Sequence, residues 1–249
     1  MIYLKTEKDI VGITKACEIW KKVKAELRKK TKPGISTKQL DKIAADVIAA
    51  NGATASFYQY EGFPGHICIS VNEQIIHGIP SDYVLKKSDI VTFDIGVTYE
   101  GYVCDAAFSI VLDPTNEAAL EIQDATIDCL NCAIRQIKAG VRIGDISYTI
   151  QETAFYHGYE VIKDYGGHGC GLKVHEDPII LNYGQPNTGL KLKAGMVICI
   201  EPMLMTDSDA YVVDADNGWT VSARNGKLTC HEEHMVLVTD IGCHVLTAD

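Results

Sequence analysis

The chain has 249 residues, 47% of them hydrophobic and 22% charged, with a net charge of −10. That composition supports a large buried core and excludes an intrinsically disordered chain. The acidic balance weighs against a nucleic-acid partner, which needs a basic face, and the local run of lysines over 21–32 is read as the solvated face of a first helix.

The opening MIYLKTEKDI lacks the basic start and apolar run of a secretory leader. No stretch approaches the roughly 18 apolar residues of a membrane span. Nine cysteines are scattered without a framework and read as reduced thiols, so the expected compartment is the cytoplasm.

In chain order, Thr6-x-x-Asp9 opens a helix whose apolar residues fall at Ile13, Cys17, Trp20, Val23 and Leu27. A second helix opens at Ser36 or Thr37, runs through Leu40, Ile43 and Val47, and stops at Asn51-Gly52. Strand patterns cover 67–71, 90–99 and 102–112. A third helix spans about 117–138 and a fourth about 145–157. Further strands are predicted at 196–200 and 235–238. Cys129 and Cys132 share one face of the third helix, with no second pair at zinc-knuckle spacing, and read as packed thiols.

The two halves of the chain, roughly 1–110 and 111–249, resemble each other. Lys32, Gly34, Leu40 and Gly52 recur as Lys138, Gly140, Ile146 and Gly158. Leu85, Lys86 and Asp94 recur as Leu192, Lys193 and Glu201. A nearly fixed offset across two helix–strand units predicts an internal duplication within a single catalytic domain spanning 1–249. An approximate two-fold axis would then bring Asp94 and Glu201 together at the centre.

Asp94 lies in the middle of a strong strand pattern, where a lone carboxylate is costly to bury. Asp105 lies in the next strand. If Tyr99-Glu100 form the hairpin loop the two aspartates face each other. If Glu100-Gly101 form it they are diagonal neighbours on the same face. Either way like charges converge, and they repel unless a proton or cation sits between them. Glu201 follows one buried-looking strand and Glu233 precedes another. His168 is flanked by glycines. Four carboxylates and one imidazole suit hard or borderline divalent ions such as Mn²⁺, Co²⁺, Fe²⁺ or Zn²⁺, with charge enough for two.

These stretches, together with Ile67–Pro80, Gly167–Pro178, Ile200–Met203 and Glu233-His234, resemble the type I methionine aminopeptidases of the short bacterial form, over nearly the whole chain. The resemblance implies the α+β pita-bread fold, a curved antiparallel sheet flanked by helices with internal pseudo-two-fold symmetry. It implies removal of the initiator methionine from nascent polypeptides and peptides, with a preference for a small second residue; a monomer, with a contact to the ribosome open to it, is the expected form.

The resemblance also implies roles. Asp94, Asp105, His168, Glu201 and Glu233 match five metal-ligand positions, with Asp105 and Glu233 shared between two ions. Those ions activate a water and hold the substrate's α-amine. Glu201 shuttles the proton to the leaving amine, His175 donates to the scissile carbonyl oxygen, and His77 contacts the substrate backbone. Read alone, His77 is more readily a structural histidine, hydrogen-bonded in the loop before Gly78-Ile79-Pro80. Tyr60, Phe63, Cys68 and Trp219 fall where the family builds its methionine pocket, and an aromatic and thiol lining suits a thioether. The chain departs from the usual pattern at Ala106-Ala107 and Met235, where threonines are commoner, and at Val174, a position often aromatic. Xaa-Pro peptidases of the same fold usually carry an extra N-terminal domain, whereas here only about 60 residues precede the first signature stretch. His231 and Glu232 read as surface residues.

Overall fold

The computed structural model describes residues 2–206, 211–214 and 216–248. Two helices, α1 (Glu7–Lys30) and α2 (Thr37–Ala50), precede strands β1 (Thr54–Ala55), β2 (Cys68–Val71), β3 (Gln74–Ile76), β4 (Ile90–Tyr99) and β5 (Tyr102–Val111). A second pair, α3 (Glu117–Gln136) and α4 (Ile143–Tyr156), precedes β6 (Glu160–Val161), β7 (Gly166–Gly169), β8 (Glu176–Leu181), β9 (Val197–Ile200) and β10 (Met203–Met205). The chain closes with β11 (Tyr211–Val213), β12 (Val221–Ala223), β13 (Cys230–His231), β14 (His234–Val238) and β15 (Cys243–Val245).

The helix starts follow from their caps. Thr6 and Asp9 form a reciprocal capping box on α1, as Ser36 and Gln39 do on α2. Helix α4 begins two residues before the predicted Asp145. That carboxylate lies three residues beyond the cap and reaches back to accept from the backbone N–H of Arg142. The apolar face of α1, Ile13, Cys17, Trp20, Val23 and Leu27, is wholly buried against β4 and β5. Ile122 and Leu130 of α3 and Ile146 and Ile150 of α4 join Ile198 and Ile200 of β9 and Val236 and Val238 of β14 in one buried cluster.

Matching backbone hydrogen bonds recur in the two halves. Gly34 N donates to Leu85 O at 2.8 Å, and Gly140 N donates to Leu192 O at 2.9 Å. Thr37 N donates to Tyr83 O at 3.0 Å, and Ile143 N to Leu190 O at 2.9 Å. Isolated bridges Ser36–Val84 and Arg142–Lys191 repeat the match. Each half therefore ties the start of its second helix to the segment entering a central strand, β4 in one and β9 in the other.

Strand β4 pairs with β5 on one side and with β1 and β2 on the other. The second main sheet runs β15-β14-β9-β7-β8, antiparallel throughout. The two sheets meet where Glu233 N donates to Ala107 O at 3.0 Å. The β4–β5 turn settles the hairpin register. Tyr99 pairs with Tyr102, and Glu100 (φ 51°) and Gly101 (φ 85°) form a two-residue loop with both φ positive, the geometry favoured by right-twisted strands. Asp94 is thus opposite Ala107 and Asp105 opposite Gly96, which makes the aspartates diagonal neighbours on one face. Among the described residues, no helix is long and apolar enough to cross a membrane.

Candidate metal centre and substrate pocket

Five acidic or imidazole side chains from five places in the chain converge at the junction of the sheets. Asp94 comes from β4, Asp105 from β5 and His168 from β7. Glu201 directly follows β9, and Glu233 directly precedes β14. None is more than 9% exposed. Ligand atoms of Asp105, His168 and Glu233 all lie within 4.8 Å of one another. His168 Nε2 is 3.8 Å from Asp105 Oδ2 and 3.6 Å from Glu201 Oε1.

Burial of so much like charge has a protonic cost. Burial pushes Asp94 up to about 7. Asp105, Glu201 and Glu233 are pushed well above the usual carboxylate range, first by burial and then by repulsion from one another and from Asp94. His168 is held down to about 4 by burial and then by the neighbouring His175.

The donor set fits divalent cations. Asp105 Oδ1 and Glu233 Oε1 are buried with no hydrogen-bond partner among the described residues, a costly state that a cation relieves. His168 Nδ1 lies 2.9 Å from Gly169 O. A proton donated there leaves the Nε2 lone pair among the carboxylates, the orientation typical of a metal-binding histidine. The glycines around it are packing requirements. A Cβ on Gly167 would fall 2.2 Å from Cys199 O, and one on Gly169 would fall 2.3 Å from Asp177 O.

The carboxylates open onto a cavity of about 590 Å³ whose lining contains all eleven residues singled out in the sequence. Phe63 and Trp219 meet edge-to-face at 5.3 Å. Cys68, paired with Asp94 across β2 and β4, is kept a neutral thiol, its pKa driven up by burial and then by Asp94, Asp105 and Asp41. The Tyr60 hydroxyl lies 3.2 Å from His175 Nδ1. A hydroxyl donating to Nδ1 leaves the ring proton on Nε2, the tautomer able to donate to a carbonyl oxygen. Burial lowers the His175 pKa, with Glu61 opposing.

His77 sits in the left-handed region at φ 58°, and Gly78 follows it because a Cβ there would lie 2.3 Å from Ile69 O. Non-glycine residues hold that conformation at a cost, and such strain gathers at functional sites. Burial and then His175 lower its pKa to about 4, so the ring is neutral near pH 7.

The residues 231 and 232 differ from the surface reading. His231 and Glu232 are both buried. His231 lies on β13, paired with β10, and its Nε2 is 3.5 Å from Glu201 Oε2. Glu232 accepts from Ser109 N at 3.0 Å. A run of four polar residues looks solvated locally, and only strand pairing between distant segments buries it.

The profile of the metallopeptidase family M24 matches residues 11–240. The chain belongs to metallopeptidase family M24. This M24 chain is 41% identical over 248 residues to a methionine aminopeptidase of Mycoplasma genitalium, covering 99% of this chain and 100% of the relative. It superimposes on the crystal structure of methionine aminopeptidase from Rickettsia prowazekii with a TM-score of 0.97 and 34% identity, each chain fully covered. Against prolidase from Pyrococcus furiosus the TM-score is 0.81 at 26% identity, with 99% of this chain but 65% of the prolidase covered. The architecture is the pita-bread fold, and the M24 membership makes the chain a metal-dependent peptidase.

Sequence reasoning passed over several cavity-lining residues of the M24 chain, among them Phe57, Ile76 and Tyr165. The Tyr165 ring lies 5.6 Å from that of His77, nearly perpendicular to it. Its position just before the glycine-rich run was the one available signal.

Proposed function

We propose that this chain is a methionine aminopeptidase that removes the N-terminal methionine of nascent polypeptides and peptides in the cytoplasm, using two divalent cations drawn from Co, Mn, Fe or Zn. The observation that carries the reading is the joining of two features in one cavity. The five-residue donor set of Asp94, Asp105, His168, Glu201 and Glu233 sits beside a wall of Tyr60, Phe63, Cys68 and Trp219. The name of the full-length relatives supports the same substrate.

When bound, the cations supply Lewis acidity and bring the pKa of water toward neutrality. Asp94, Asp105, His168, Glu201 and Glu233 would hold the cations, and Asp105 and Glu233 each carry a buried oxygen short of a partner among the described residues. Glu201 takes the proton of the attacking water and returns it to the leaving amine. His175, held by Tyr60, donates to the scissile carbonyl oxygen as negative charge grows there. His77, neutral and conformationally fixed, meets the substrate backbone. The Phe63–Trp219 corner and the neutral Cys68 thiol offer soft, polarizable surface to a methionine side chain.

A peptide panel varying positions one and two, run with Mn²⁺, Co²⁺, Fe²⁺ and Zn²⁺ in turn, tests the reading. Cleavage of Met-Ala-Ser after the first residue is expected, with larger second residues cut more slowly. Preferential cleavage of Xaa-Pro peptides would assign the chain to the prolidase branch of the fold instead.

A further inference from the structure

The segment from Gly171 to His175 brings His175 to the cavity, and its course is set by two side chains that the proposed chemistry does not use. Glu176 Oε1 accepts from the backbone N–H of Leu172 at 2.7 Å and of Lys173 at 3.1 Å. Its other oxygen meets the ammonium of Lys5, and the Lys5 and Glu176 side chains are 1% and 0% exposed. Lys5 is fixed in turn, because its own N–H donates to Gly195 O at 2.7 Å. Gly171 lies at φ +121°, where a Cβ would fall 2.6 Å from Ile13 Cδ1 and 3.1 Å from Lys5 Cε. Its carbonyl accepts from Val103 N at 2.8 Å. One buried carboxylate thus gathers two loop amides and the N-terminal segment at the residue next to His175.

A fully buried ion pair is a poor source of stability, since apolar residues of similar volume commonly serve the fold as well or better. What such a pair supplies here is a fixed place for the residue beside it. We propose that Lys5 and Glu176 are positioning residues for His175, holding its imidazole against Tyr60 and His168 in the geometry for donation to the substrate carbonyl. This rests on the role assigned to His175 above. The Tyr60 and His168 rings lie 5.6 and 4.5 Å from that of His175, so a small shift of the loop changes both contacts.

A thermodynamic cycle tests the proposal in the full chain loaded with Mn²⁺. The paired change Lys5→Met/Glu176→Leu removes the ion pair without stranding a charge, and it is made on the wild-type and His175→Ala backgrounds. The readouts are kcat and KM on Met-Ala-Ser, Mn²⁺ affinity by calorimetry, and hydrogen exchange at the 172 and 173 amides of the metal-free protein. Expected on the wild-type background are a kcat lowered about ten- to a hundredfold, KM and Mn²⁺ affinity within about twofold, and faster exchange at both amides. On the His175→Ala background no further loss of kcat is expected.

Lys5→Met/Glu176→Gln should recover part of the rate, because an amide oxygen still accepts from both loop amides. Equal losses on the two backgrounds, or a parallel fall in Mn²⁺ affinity, would overturn the proposal. If the paired variant does not fold, Lys5→Met/Glu176→Gln on the same two backgrounds decides it by the same criterion. A His175→Ala protein with native kcat would instead overturn the assignment of His175 itself, and a wild-type chain inert to every methionyl peptide would overturn the function.

Discussion

Trp20 Nε1 donates to the carbonyl of Ala106 at 3.1 Å, from the middle of α1 to the residue after Asp105. The next carbonyl along, that of Ala107, accepts from Glu233 N. Strand β5 is therefore held on one side by a helix and on the other by the sheet junction, with Asp105 beside both attachments. Trp20 is fully buried and meets Phe108 edge-to-face at 6.1 Å. Trp20→Phe keeps most of the apolar volume but removes a buried hydrogen bond from a carbonyl that still faces Ile95 in the β4–β5 ladder, at a cost of about 0.5–1.5 kcal/mol. Urea unfolding should show that loss, with all five donor side chains left in the protein. An unchanged unfolding midpoint would mean that the pairing with Ile95 satisfies Ala106 O by itself.

Much of this is legible in the sequence, and the reason is periodicity. The apolar stripe of α1 and the runs over β4 and β5 are long, and local caps and turns bound them. The hairpin register was undecided because Tyr99-Glu100 and Glu100-Gly101 are both plausible loops, and only the positive φ at Glu100 selects the second. Strand β7 was missed because Gly166, Gly167 and Gly169 carry no strand propensity. Their value lies in how closely β8 and β9 approach, which depends on segments remote in sequence. The burial of His231 and Glu232 and the Lys5–Glu176 pair share that cause, since each depends on a partner more than a hundred residues away or on pairing with β10.

Gly167→Ala follows directly. Its Cβ would stand 2.2 Å from the backbone carbonyl of Cys199, and backbone cannot yield as a flexible side-chain tip does. Separating β7 from β9 moves His168 away from Glu201. The expected result is a stability loss of about 1–3 kcal/mol, typical of overpacking, together with weakened Mn²⁺ binding. A variant with native Mn²⁺ affinity would show that His168 tolerates the strand shift.

His77 sets a pH signature. Its folded pKa of about 4 lies below the ordinary histidine value of 6.5. For a base shifted in that direction, the unfolded chain binds the extra proton between the two values. Stability is therefore fully present above about 6.5 and is lost as pH falls toward 4. The loss amounts to about 3 kcal/mol at most. Asparagine accepts the left-handed backbone at this position, so His77→Asn should fold while flattening the stability–pH curve across that window. Parallel curves for the two proteins would contradict a neutral, desolvated His77.

Glu201→Gln separates the base from the scaffold. Gln preserves the shape of the side chain and the backbone carbonyl that accepts from Asn182 Nδ2 at 3.0 Å. Hydrolysis of Met-Ala-Ser should fall by about 10²- to 10⁴-fold, the usual contribution of a general base. Near-native turnover would move the proton transfer to another group.

Metal removal should be felt differently at different pH. Asp94 has a folded pKa of about 7 against an ordinary value of 3.8. An acid raised in this way favours the folded state at low pH, and that contribution is lost as pH rises from about 4 through about 7. The metal-free protein thus carries its greatest electrostatic strain above pH 7, when the cluster is most fully charged. Cations relieve that strain and also bind best there, because their ligands must be deprotonated. Saturation at about a hundred times Kd adds about 2.7 kcal/mol by mass action at any one pH. At a fixed Mn²⁺ concentration, the rise in Tm over the chelator-treated protein should therefore be larger at pH 8 than at pH 6. Equal rises at both would mean that the carboxylates are already ionised without metal, and that some buried partner other than a cation neutralises Asp94, Asp105, Glu201 and Glu233.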